Sequence, residues 1–241
     1  MSERSVSRDK KPPAAVYTLA LEGATYGGSV ALLRGASVIA ERTLGEDDGS
    51  VSRAGRGEKL MPAIAACLEE ANVGRSEIDR IVCGSGPGSF TSLRVAGSVA
   101  KGLATGLGVP LYAVSSLLLT VSGAKPPAPQ GEYLSVLDAM RGEFYAARVI
   151  VAPEEDLQQV EAPRIVSAEE LREIESMNSH LRVIGPGQQI DAHPHARGVA
   201  PLLASIVRAG SVDLASWEPD YGRLAEAQVR WEAAHGRPLA T

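Results

Sequence analysis

The residues best equipped for chemistry lie in one run, Ile81-Val82-Cys83-Gly84-Ser85-Gly86-Pro87-Gly88-Ser89-Phe90-Thr91-Ser92-Leu93-Arg94. Its pattern is a short apolar strand, a glycine-rich turn and the start of a helix. Gly84, Gly86 and Gly88 strip the turn of side chains, so its backbone N–H groups can point outward. The helix behind the turn adds its own free donors, and Ser89 and Thr91 add hydroxyls. That combination is a phosphate cradle. The fittings of a nucleotide enzyme are missing, however. No Lys-Ser/Thr pair completes a P-loop, and the spacing departs from the dinucleotide pattern. The loop is expected to be a vestigial anion site with no cofactor.

Other reactive groups form no constellation. Ser85 and Ser89 lie outside any Gly-x-Ser-x-Gly elbow. Asp138 and Glu143 flank a hairpin and are expected to be solvated charges. Cys67 and Cys83 have neither metal nor disulfide spacing and sit in apolar contexts. The four histidines, His180, His193, His195 and His235, all lie in the last third of the chain. His193-Pro194-His195 is expected to be a surface turn rather than a metal site. No metal and no catalytic residue are expected.

The elements that must position the loop alternate in type. Strands are expected at 16–21, 29–33 and 38–44, separated by Tyr26-Gly27-Gly28 and Arg34-Gly35. A helix over 58–72 follows, with Leu60, Ile64, Cys67, Leu68 and Ala71 on one face. The strand 78–83, the glycine loop and a helix over 92–107 complete a β-β-β-α-β-α unit. A bridge of strand 111–114 and helix 116–123 leads to a second copy of the pattern. There strands are expected at 133–138, 143–151 and, more weakly patterned, 158–166. A helix at 168–175 opens behind Ser167 with Glu170 placed for a capping box. A strand at 181–184 runs into Gly185-Pro186-Gly187, and helices at 199–209 and 221–234 close the chain. Two copies of one topology imply an α/β protein of two lobes: 15–112 with a C-terminal helix near 217–235, and 113–216.

The helix over 92–107 is unusual. Ala96, Ala100, Leu103 and Leu107 make an apolar stripe, while Gly97, Ser98, Gly102, Ala104 and Gly106 keep the remaining surface small. Each glycine inside a helix costs about 1 kcal/mol against alanine, which close approach by another element would offset. That element is either the chain's own sheet or a partner helix. On the second reading, Leu60, Ile64, Cys67, Leu68, Ala96, Gly97, Ala100, Leu103, Ala104 and Leu107 form a docking surface.

Bulk composition narrows the classes of function. The chain has 241 residues, 44% of them hydrophobic and only 4% aromatic, so its core must rest on Ala, Val, Leu and Ile. A net charge of −5 gives no general reason to bind nucleic acid through its phosphates. No stretch approaches a membrane span, and the polar start 1–14 lacks an apolar signal core. That start is expected to be a disordered tail and the chain cytoplasmic.

The segment Gly84 to Arg94, with Ala100-Lys101-Gly102-Leu103-Ala104 beyond it, closely resembles the TsaB family, also called YeaZ. Leu111-Tyr112-Ala113-Val114-Ser115-Ser116-Leu117, Asp138-Ala139-Met140-Arg141-Gly142-Glu143-Phe144-Tyr145 and Pro219-Asp220-Tyr221-Gly222-Arg223 resemble further family stretches. The resemblance implies the actin-like, sugar-kinase and Hsp70 (ASKHA) fold, each lobe a β-β-β-α-β-α unit. It also implies a role. TsaB-like proteins are non-catalytic scaffolds that pair with the catalytic paralogue TsaD and are joined by the ATPase TsaE. Together they place threonylcarbamoyl on adenosine 37 of tRNAs reading codons that begin with A. The resemblance further implies a homodimer when isolated and contact with tRNA only through the complex.

Departures from the family's patterns bear on activity. TsaD-type chains carry Asn-His-Leu-Glu-Gly-His where this one has Ser115-Ser116-Leu117-Leu118-Leu119-Thr120, so the two metal-binding histidines become Ser116 and Thr120. Hydroxyls do not replace imidazoles as ligands of a transition metal. After the first strand, Leu21-Glu22-Gly23-Ala24-Thr25 stands in place of the usual Asp-Thr-Ser. Ser92 replaces a common glycine, Met140 a common arginine and Arg56 a common histidine. The alternatives to a scaffold are an ATP-dependent phosphotransferase of the same fold, using Glu22 and Asp138, or a glycoprotease-like metallopeptidase.

Overall fold

The computed structural model describes residues 15–45, 59–153, 157–178, 180–223 and 235. The expected tail 1–14, Arg56 and most of the expected helix 221–234 lie outside the described residues. Two sheets are present. The first is built from β1 (Tyr17–Glu22), β2 (Ser29–Arg34), β3 (Ser37–Thr43), β4 (Ile78–Gly84) and β5 (Leu111–Val114), in the order β3-β2-β1-β4-β5. β1, β2 and β3 form an antiparallel meander, and β4 and β5 join parallel to β1. Helices α1 (Leu60–Glu70) and α2 (Phe90–Leu107) cross over between strands.

The first sheet is buried on both faces, with different chemistry on each. Leu19, Leu21, Val30 and Leu32 pack under α1 and α2, meeting Leu60, Ile64, Cys67, Ala96 and Ala100. The opposite face carries the smaller Ala20 and Ala31 beside Leu33 and Val82. That face meets α5 (Val199–Ala209) through Val199, Leu202, Leu203 and Ile206. Alternation of side chains along β1 thus gives a bulky face and a flat one. The expected division at 112/113 assigns α5 to the second lobe, yet α5 packs on the first sheet and belongs to the junction.

The second unit runs α3 (Ser116–Ser122), β6 (Gly131–Asp138), β7 (Glu143–Val151), β8 (Leu157–Gln159), β9 (Arg164–Ser167), α4 (Ala168–Met177), β10 (Leu181–Gly185) and β11 (Ile190–Asp191). Its strands lie in the order β11-β10-β6-β7-β8, with β9 also on β7. The expected strand at 158–166 is therefore two short strands on the same edge. Residues 160–163 between them include Pro163, which has no N–H to give to a ladder. Ser167 caps α4 by accepting the Glu170 N–H at 3.0 Å. The Glu170 side chain pairs with Arg164 instead of closing the capping box.

After α5 the chain returns across the first unit. Val212 N–H donates to the Leu111 carbonyl, and Val212, Leu214 and Trp217 join the core under α2. Residues 221–223 are irregular, not the first turn of a helix. No helix among the described residues is long and apolar enough to cross a membrane.

Candidate functional site

The glycine loop sits where the sequence places it, between β4 and α2, and three of its N–H groups are bonded within the chain. Ser85 N–H donates to the Val114 carbonyl at 2.7 Å, and Ser89 N–H to the Ala24 carbonyl at 2.7 Å. Gly86 N–H donates to the Ser116 hydroxyl at 3.1 Å. Asp220 N–H returns a bond to the Ser85 carbonyl at 2.7 Å. The glycines admit protein. A Cβ on Gly84 would lie 1.9 Å from the Glu22 Oε2, and one on Gly86 would lie 2.1 Å from the Asp220 carbonyl oxygen. Gly86 also holds φ +89°, a left-handed conformation that suits glycine. Of the hydroxyls expected to help the cradle, Ser89 Oγ lies 3.1 Å from Ser92 Oγ, and Thr91 is exposed.

Glu22 is the centre of this closed end. It ends β1 and is 1% exposed. Ala24 N–H donates to its Oε1, and the Ser116 hydroxyl lies 3.0 Å from Oε2 and 3.2 Å from Oε1. Burial pushes its pKa from 4.5 up to about 7, against the lowering effect of those hydrogen bonds. Ser116 begins α3 and is fully buried, accepting from Gly86 while donating to Glu22. Thr120 is fully buried too and donates to the Ser116 carbonyl at 3.0 Å.

A metal ion here would need side-chain ligands that the loop end lacks among the described residues. The two positions that would be histidines in a TsaD-type chain hold hydroxyls whose hydrogen bonds stay within the protein. Glu22, the carboxylate that lies against Gly84, is itself a hydrogen-bonded part of the core. Among the described residues, no group of three His, Cys, Asp or Glu side chains could hold a metal ion. These residues do not fit a metal ion, and the Ser85, Gly86 and Ser89 N–H groups are already bonded within the chain.

At the loop end the two units pack directly on each other. Ala24, Leu93 and Leu117 meet Leu137, Ala139, Tyr145 and Ala147 of the second sheet in one buried cluster. Tyr221 closes over it, its ring centroid 4.5 Å from that of Phe90. The Tyr145 hydroxyl donates to the Tyr221 carbonyl at 3.1 Å, and Arg223 pairs with Glu143. Glu143 therefore serves an ion pair, while Asp138 accepts from the Met140 N–H at 2.7 Å.

The expected docking surface needs correction. Leu60, Ile64, Cys67, Ala96, Ala100 and Ala104 are each 4% exposed or less and form the core against the first sheet. Gly97 is buried under the returning chain, where an added Cβ would meet Pro219 Cγ at 2.9 Å. Lys101 Nζ holds that segment by donating to the Trp217 carbonyl at 2.9 Å. Of the ten residues, only Leu68, Leu103 and Leu107 reach solvent in part. The outward ridge of the two helices carries instead Met61, 49% exposed, with Ala65, Ser98 and Thr105. Gly102 and Gly106 open onto empty space there.

A polar bolt at the back of the junction had no sequence signal. Glu41 on β3 accepts from Lys125 at 2.6 Å and from Arg197 at 2.8 Å. These cations hold its pKa down at about 2, against the opposing effect of burial. His195 is buried, not a surface turn. Its Nδ1 accepts the Arg197 N–H at 3.0 Å, and its Nε2 lies 3.2 Å from Thr43 Oγ1. Burial, then the neighbouring Arg197 charge, pushes its pKa from 6.5 down to about 4.

Comparison with known proteins places this geometry. Residues 52–183 match the family model described as TsaD, tRNA N6-adenosine threonylcarbamoyltransferase. The tRNA threonylcarbamoyladenosine biosynthesis protein TsaB of Bacillus subtilis (strain 168) is 26% identical over 234 residues, covering 88% of this chain and 96% of its own. TsaB of Escherichia coli (strain K12) is 31% identical over 129 residues, 54% of this chain and 53% of its own. The solved structure of YeaZ from Pseudomonas aeruginosa superposes with a TM-score of 0.69 at 23% identity, over 86% of this chain and 99% of that one.

Proposed function

This chain belongs to the TsaB/YeaZ family, and from that premise we propose that it is a non-catalytic subunit in the biosynthesis of threonylcarbamoyladenosine at position 37 of tRNA. It works by contact, pairing with a TsaD-like catalytic paralogue and helping to recruit a TsaE-like ATPase in the cytoplasm. The observation that carries this reading is the closed site: Glu22, Ser116 and Gly86 satisfy one another where a relative would hold metal and phosphate. Glu22 is 1% exposed and its carboxylate accepts from the Ala24 N–H and the Ser116 hydroxyl.

The contact surface is the outward ridge of α1 and α2, with Met61, Leu68, Leu103 and Leu107 as its apolar members. Gly102 and Gly106 let another helix approach the α2 backbone. The same ridge pairs two copies when the protein is isolated. The residues beneath it shape the ridge without touching the partner. With a net charge of −5, contact with tRNA is indirect, through the partner.

Deletion of the encoding gene, followed by mass spectrometry of tRNA nucleosides, tests the role. Loss of the modified nucleoside, restored by this chain, is expected; an unchanged nucleoside profile would refute it. Gly102→Arg tests the surface: pull-down of the TsaD-like partner should fail while circular dichroism is unchanged. Undiminished binding would refute that face.

A further inference from the structure

The stretch Pro219-Asp220-Tyr221-Gly222-Arg223 has no part in the outward ridge, yet each of its residues makes a contact. The returning chain is first seated on the first unit. Trp217 joins the core under α2, and its carbonyl accepts from Lys101 Nζ at 2.9 Å. Pro219 is buried in the notch that Gly97 leaves. The Asp220 N–H donates to the Ser85 carbonyl at 2.7 Å, and the Asp220 carbonyl oxygen occupies the notch at Gly86. The next three residues cross to the second unit. The Tyr221 carbonyl accepts from the Tyr145 hydroxyl at 3.1 Å, while its ring lies on Phe90 of α2. Gly222 is wedged between the units. A Cβ there would come within 2.3 Å of Tyr145 Cε1 and 2.9 Å of Pro87 Cβ. Arg223 closes on Glu143.

The two halves of this segment are held differently. The first half is set into the core. Among the described residues, the tip holds the second unit through one neutral hydrogen bond, one ion pair and the packing of Tyr221 and Gly222. The ion-paired side chains are 29% and 39% exposed, so this is the kind of contact that opens locally. The cluster beneath the tip includes the small side chains of Ala24, Ala139 and Ala147. On the β3 side the units are fastened separately. Glu41 accepts from Lys125 and Arg197 there, and Ser29 Oγ accepts the Ala196 N–H at 2.9 Å.

We propose that residues 217–223 are a strap that locks the loop end of the junction, with the fastening at β3 as its pivot. Closed, the strap makes the two units one rigid body and fixes α2 against the second sheet. Released at its tip, it lets the glycine loop and the β6–β7 hairpin part while the β3 side holds.

The test uses the full chain and spin labels on introduced cysteines. One pair, Thr91→Cys with Met140→Cys, spans the loop end; the other, Ser37→Cys with Gln130→Cys, spans the β3 side. Cys67 and Cys83 are buried and do not compete for label. Electron–electron distance measurement should give one narrow distribution for each pair. Gly222→Ala drives a methyl group into Tyr145, and should lengthen and broaden the loop-end distance without changing the other. The milder Glu143→Gln with Tyr145→Phe leaves the strap's own sequence intact. It should speed hydrogen exchange of the Asp220 and Gly222 amides about tenfold while the Ala196 amide keeps its protection. A loop-end distance unchanged in Gly222→Ala, with strap exchange unchanged in the milder variant, overturns the proposal. Equal change on both sides of the junction also overturns it, since that marks loss of the fold rather than of a lock.

Discussion

Replacing Glu22 by Gln should make the protein more stable above neutral pH. Gln is nearly isosteric, keeps an oxygen for the Ala24 N–H and presents an amide to Ser116. What it removes is a charge. The Glu22 pKa rises from 4.5 to about 7 because burial disfavours the carboxylate. At about 1.4 kcal/mol per tenfold change in the proton equilibrium, that amounts to about 3 kcal/mol against the charged form. The folded state binds the extra proton between pH 4.5 and 7, so stability falls as pH rises through that window. His195 works in the opposite sense. Its pKa falls from 6.5 to about 4, so the unfolded chain takes up the proton there and stability is lost as pH falls. The wild-type curve is therefore nearly flat between about pH 4.5 and 6.5 and declines above it. Glu22→Gln should expose the His195 slope and then level off. Urea unfolding at intervals from pH 4.5 to 8 measures this. The gap between the variant and the wild type should grow by about 3 kcal/mol, or roughly 6–12 °C in melting temperature for a chain of this size. Parallel curves for the two proteins would refute the burial argument.

Other outcomes follow from the same contacts. Gly84→Ala forces a methyl group to within 1.9 Å of Glu22 Oε2 and should destabilise by about 1–3 kcal/mol, measured by chemical denaturation. Gly97→Leu should displace Pro219 and Trp217, read as faster proteolysis after α5 with the sheets intact. Gly102→Ala meets empty space in a helix and should stabilise by about 0.5–1 kcal/mol. Mg-ATP added to the isolated chain should give no heat of specific binding at micromolar concentrations; a one-to-one micromolar isotherm would support a phosphotransferase instead.

The succession of elements along the chain and the glycine loop were legible because alternation, turn residues and the Gly84–Gly88 run are local signals. The direction of the loop's N–H groups was not, since their acceptors, Val114, Ala24 and Ser116, lie distant in sequence. The stripe on α2 shows the limit of periodicity. Ala96 and Ala100 of that stripe are buried, as is Ala104 outside it, but the pattern does not say whether the sheet beneath or a partner buries them. The glycines divided in the same way: Gly97 serves the chain's own Pro219, while Gly102 stays open. His195 was misplaced because the short run His193-Pro194-His195-Ala196-Arg197 has no strand or helix periodicity. Its burial comes from contact with Thr43 and Arg197, a tertiary event with no periodic trace.

The central claim is that the loop end of the junction is a packed core and that the protein acts through its surface. The most direct measurement is nucleoside mass spectrometry of tRNA from cells whose own copy is replaced by Glu22→Gln. Full restoration of threonylcarbamoyladenosine is predicted. Loss of the modification, from a variant that still folds and still binds its partner, would contradict the account.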